Sequence, residues 1–186
     1  MILKKTILSL LFFCVLFFSC QKKKQVVAES TIKINNLEQR FGQERTFVIS
    51  EAISAHAKTN IKEWNAYFNL AAFLSNDYLT LSARESLEMS NELVDMVNAA
   101  RDSMTIPVLN TSAMFARLNV LRSEALRLKD MATITSITPA EVFSQTEKLL
   151  AVFSAVNSKI NTVFSQVNFD EQVNFDESIF EFDKKK

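Results

Sequence analysis

Between Val142 and Val167 the side chains Val142, Thr146, Leu149, Phe153, Val156, Ile160, Val163 and Val167 follow one another in alternating steps of four and three. That seven-residue period puts them on one stripe of an α-helix and on no single face of a strand. An apolar stripe of nearly four heptads must be covered by other helices. One glycine and two prolines in 186 residues also leave too few turn formers for a β-rich chain. The expected fold is therefore all-α.

Three further helices are predicted ahead of that seam. Over residues 44–75 the apolar positions Ile49, Ile53, Ala57, Ile61, Trp64, Phe68, Ala71 and Leu74 recur at helical spacing. Ser75, Asn76 and Asp77 are residues that cap and turn. A second helix carries Leu79, Ala83, Leu87, Leu93, Val94, Val97 and Ala100 to about Ser103. Nothing at Asn76 forbids one unbroken helix, so three helices with a long first one is the alternative. Pro107 interrupts the pattern, because proline has no amide proton to donate and disfavours helix in the residue before it. Asn110 or Thr111 caps a third helix, residues 112–132, with the stripe Met114, Leu118, Leu121, Ala125 and Leu128. Thr138-Pro139-Ala140-Glu141 then has the form of a capping box with proline at the first helical position. Short connections predict an antiparallel four-helix bundle over residues 44–167, crossing at about 20°.

The chain opens on a different pattern. Lys4 and Lys5 precede an apolar run from Ile7 to Phe18 broken only by Ser9, and Ser19 stands directly before Cys20. Positive charge, an apolar run of about a dozen residues and a small residue at the cleavage point make a secretory signal peptide of residues 1–19. The run is shorter than the ~20 residues that span a bilayer as a helix. Ser19 before Cys20 predicts lipoprotein processing, with Cys20 acylated and made the first mature residue, so the lipid bilayer is an expected partner. Cys14 leaves with the signal, and no disulfide is expected. Residues 20–43 read as the lipidated cysteine and a tether. Lys22, Lys23 and Lys24 either are solvated or sit against anionic headgroups. Lysines there, where acidic residues would accompany surface display, predict an outer-membrane protein facing the periplasm.

Removing Lys4 and Lys5 with the signal leaves 19 basic against 21 acidic side chains, without the basic excess that nucleic acid requires. His56 is the only histidine, which excludes metal sites built from several imidazoles. A single glycine excludes a glycine-rich phosphate loop. Glu85, Glu88, Glu92 and Asp95, spaced three, four and three apart, line one helix face and are the weak metal candidates. The plainer reading of that row is a solvated face, opposite Arg117, Arg122 and Arg127 of the third helix. Met89, Met96, Met104 and Met114 lack the Cys or His partners of a copper site. No cofactor and no catalytic residue is expected.

After Val167 the chain nearly repeats itself, as Val167-Asn-Phe169-Asp-Glu171 and then Val173-Asn-Phe175-Asp-Glu177, before Phe180, Phe182 and three lysines. A six-residue spacing fits neither helix nor strand. Residues 168–186 are either a solvated acidic tail or a docking segment with Phe169, Phe175, Phe180 and Phe182 as anchors inside a steering carboxylate rim.

Leu109-Asn-Thr-Ser-Ala-Met-Phe-Ala-Arg117-Leu-Asn-Val-Leu-Arg122, then Leu126-Arg-Leu-Lys-Asp130-Met, then Ala151-Val-Phe153 and Asn157-Ser-Lys-Ile-Asn161 resemble a group of small helical lipoproteins of flavobacterial type. The likeness covers roughly a third of the chain besides the signal. It implies an envelope location and carries no activity. The expected function is a non-enzymatic, membrane-anchored envelope lipoprotein that binds another envelope protein as an accessory subunit. The alternative is a periplasmic binder of a small ligand or divalent metal. The long seam also allows self-association.

Overall fold

The computed structural model describes residues 39–172. The chain divides into two units, Met1–Arg40 and Phe41–Lys186, and the described core belongs wholly to the second. In order, its elements are β1 (Glu44–Thr46), α1 (Ala55–Asn60), α2 (Asn65–Asn76), β2 (Thr80–Ser82), α3 (Ala83–Glu88), α4 (Ser90–Asp102), a 3-10 turn (Pro107–Leu109), α5 (Ser112–Met131) and α6 (Pro139–Gln172). The described chain is mostly helical, with one small sheet.

The mostly helical chain agrees in broad terms with the all-α expectation, to which it adds this one small sheet. β1 and β2 pair antiparallel with Glu44 opposite Ser82, Arg45 opposite Leu81 and Thr46 opposite Thr80. The Phe47 amide extends the ladder to the Leu79 carbonyl at 2.8 Å. Residues 47–54 then form an irregular strap, bent at Ser50, where a continuous helix over residues 44–75 is predicted from the sequence. Ile49 and Ile53 are four apart and so imitate a helical stripe. Thr46, Val48, Ile49 and Ile53 are β-branched, however, and favour extended backbone. Helix begins only where Ser54 supplies a cap, its hydroxyl accepting from the Ala57 amide at 3.1 Å.

The long first helix of the three-helix alternative is also corrected. Asp77 closes α2, and Tyr78 turns the chain inward, fully buried, before β2. Helix restarts at a capping box, with Ser82 Oγ accepting from the Glu85 amide and Glu85 Oε2 accepting from the Ser82 amide. The break at Met89, which ends α3 and begins α4, divides the predicted second helix again.

The later helices follow their sequence signals. Thr111 caps α5 through the Met114 amide at 3.2 Å, and Met114, Leu118, Leu121, Ala125 and Leu128 are all buried. Pro107 sits at the first position of the 3-10 turn. Thr138 and Glu141 close the predicted box at the head of α6. The Thr138 hydroxyl and amide hold the Glu141 carboxyl below the usual glutamate range. α6 is 34 residues long, so it spans about 51 Å. It continues past the expected end at Val167, so residues 168–172 are helical and not tail.

Direction can be read from hydrogen bonds. Arg101 Nε donates to Asn119 and Arg122 Nε to Asn98, so α4 and α5 run oppositely. Gln145 Nε2 donates to the Glu124 carbonyl at 3.0 Å, and the connection of residues 132–138 makes α5 and α6 a hairpin. Trp64 Nε1 donates to the Ala100 carbonyl at 2.8 Å and thereby satisfies an orphan acceptor at the end of α4. Ser86 and Thr146 join α3 to α6 at 2.8 Å. No buried side-chain donor or acceptor among the described residues lacks a partner.

Phe153 is 2% exposed and stacks on Tyr67 with ring centroids 6.1 Å apart. Phe153→Ala is expected to cost about 3–5 kcal/mol, because the surrounding helices cannot collapse fully into the void. Urea denaturation measures this, and an unchanged midpoint would show that the seam does not support the core.

Candidate functional site

The strap is irregular backbone lying against a helix, and its amides and carbonyls have no complete strand partner. α6 supplies substitutes from one face. Ser154, Asn157 and Asn161, three and four residues apart, project toward the strap. The Ser50 amide donates to Ser154 Oγ at 3.1 Å, and the Ser54 amide to Asn161 Oδ1 at 2.9 Å. Asn157 Nδ2 donates to the Glu51 carbonyl at 2.7 Å, and Asn161 Nδ2 to the Ala52 carbonyl at 2.8 Å. Both chains advance in the same direction through these pairs, so strap and α6 run parallel.

Asn157 has a second duty. Its Oδ1 accepts from the Tyr67 hydroxyl at 2.8 Å, which ties α2 to the same point. Burial pushes the Tyr67 phenol well above the ordinary tyrosine range, so it remains a protonated donor. At the other end of the strap the Arg45 guanidinium lies 5.7 Å over the Phe47 ring and 5.6 Å over Phe143, and pairs with Glu147.

Between the pinned strap and α2 lies an open groove of about 420 Å³. Its walls are Phe47, Val48, Ile49, Ala52 and Ile53 of the strap and Phe68 and Ala71 of α2, and Phe153 and Asn157 contribute from α6. The Phe47 amide on the Leu79 carbonyl marks one end. Lys58 of α1, past Ser54, marks the other. A smaller hollow of about 290 Å³ adjoins the strap at Thr46, Ser50, Glu147 and Leu150.

The residues singled out from sequence lie elsewhere. Glu85 is committed to its capping box, where the Ser82 amide and hydroxyl hold its carboxyl below the usual range. Glu88 ends α3 and Glu92 and Asp95 lie on α4, on either side of the break at Met89, and all three are exposed. Among the described residues no three His, Cys, Asp or Glu side chains gather to hold a metal ion. Arg122 bonds Asn98 and Arg127 bonds Glu124, so neither answers the acidic row. His56 is exposed, with Nε2 3.4 Å from Asn60. Met104 and Met114 are core residues. Phe169 stands 54% exposed on α6. Cys20, Phe175, Phe180 and Phe182 lie outside the described residues, as do residues 1–19, where a signal is expected, and most of residues 20–43, expected as a tether.

Sequence reading missed the groove because it treated residues 44–54 as helix. The signal that was present is the polar row Ser154, Asn157 and Asn161 beside an apolar seam, since buried amides require partners. Comparison with protein-family models, with curated proteins and with solved structures returns no match to this chain. No helix among the described residues is long and apolar enough to cross a membrane.

Asn157→Ala leaves the Tyr67 hydroxyl and the Glu51 carbonyl without their partner, and an expected cost of about 1–3 kcal/mol follows. Thermal denaturation of the variant beside Tyr67→Phe checks the coupling. Losses that add fully in the double variant would contradict a shared junction.

Proposed function

We propose that this chain is an exported envelope lipoprotein, acylated at Cys20 and held at the outer membrane facing the periplasm, whose helical domain is a non-enzymatic binding module. The basic, apolar and Ser19–Cys20 order at the start of the chain supports the anchor, as does the resemblance to flavobacterial-type lipoproteins. We read the domain as an antiparallel four-helix bundle of α2, α4, α5 and α6. The opposed α4–α5 and α5–α6 pairs support that reading.

The single observation that carries the binding role is the apolar groove between the strap and α2. Concave, apolar sites with a few fixed polar groups are where small molecules bind. Retention of a small apolar ligand is therefore the leading reading. The second is an accessory subunit that docks another envelope protein or a second copy of itself, and the exposed Phe169 ring on α6 favours it.

Cys20→Ser is expected to leave the protein in the soluble fraction or as an unprocessed precursor, read by membrane fractionation and immunoblotting. A mature-size band still sedimenting with membranes would refute the anchor. For the binding role, native mass spectrometry of the full chain released from membranes should show one small molecule retained, and a bare mass for every chain would count against it.

A further inference from the structure

We propose that the groove takes one long-chain fatty-acid carboxylate, its acyl chain along the trough and its head group at Lys58. This rests on the ligand-binding reading above and names the ligand class. Shape is the first argument. The groove is lined along residues 47–53 of the strap on one side and by Phe68 and Ala71 of α2 on the other. Its 420 Å³ falls within the range of small-molecule sites. A mostly apolar, open groove of that size accepts an alkyl chain.

Charge is the second argument, and it is asymmetric. Among the described residues Lys58 is the only ionisable side chain in the lining other than the Tyr67 phenol, which is already donating to Asn157. No carboxylate of the described residues lines the groove to neutralise Lys58 or repel an anion. Lys58 is exposed and forms no ion pair among the described residues. It lies past the Ser54 end of the strap, whereas at the opposite end Leu79 and Ser75 line the groove and the nearby Arg45, over the Phe47 ring, is already paired with Glu147. A single cation at one end of an apolar trough matches a single anion at one end of an apolar chain.

The test uses the full chain purified from membranes into an amphipathic polymer, with palmitate carrying a terminal diazirine as the probe. Photolysis followed by peptide mass spectrometry should place adducts on residues 47–53 and 67–79, and excess palmitate should remove them. Lys58→Glu should weaken competition by palmitate about tenfold while leaving competition by palmityl alcohol unchanged, since only the acid meets the reversed charge. Ala71→Trp, which fills the trough from α2, should abolish labelling, with circular dichroism confirming that the helices persist. Adducts outside the groove would overturn the proposal. Equal competition by acid and alcohol in the parent chain would overturn the carboxylate and leave an apolar ligand standing. Labelling that appears only after residues 173–186 are deleted would overturn it in favour of the C-terminal segment as occupant.

Discussion

Asn157 is the point on which three elements depend. Its oxygen holds the Tyr67 hydroxyl of α2, and its amide nitrogen holds the Glu51 carbonyl of the strap. At 2% exposure it is cut off from water, so neither half of the amide has a ready substitute. Ser154 and Asn161, on the same face of α6, repeat the arrangement on either side. An irregular segment lacking complete strand partners is thereby held in place by helix side chains. That permits a wall of bare apolar side chains opposite α2, where a third long helix would have closed the space.

α6 does two jobs along one surface. Val142, Thr146, Leu149, Phe153, Val156 and Ile160 are buried as the seam predicts, and Leu150, Ser154, Asn157 and Phe164 widen the buried face on its flank. Toward the C-terminus the burial moves from Val163, which is half-buried, to Phe164, which is 4% exposed. A straight helix at 3.6 residues per turn drifts by about 20° per heptad against a seven-residue pattern, and that drift is what the shift records. The helix is a spine with a broad covered face more than it is a coiled-coil strand.

The helices with strong periodicity and a local cap were legible in the sequence. The α5 stripe and the Thr138–Glu141 box depend on neighbours within one turn, and the structure has both. Residues 44–54 were misread because their fate is decided by α6, about a hundred positions away: Ser50 meets Ser154 and Ser54 meets Asn161. The Ser82–Glu85 box was legible and overlooked, since Glu85 was counted among acidic neighbours and not as a cap. The groove needed three elements of different sequence region to become visible, and no local pattern of Phe68 or Lys58 announces it.

A lipid anchor at Cys20 and a lipid-binding groove would make the two ends of the argument consistent, but the groove depends first on the strap being fixed. Native-state hydrogen exchange of the Ser50 and Ser54 amides, followed by NMR, tests this most directly. The account predicts protection well above that of an open loop, falling to loop-like rates for Ser54 in Asn161→Ala. Loop-like exchange at both amides in the parent chain would mean that the strap is not pinned, and the wall of the groove would go with it.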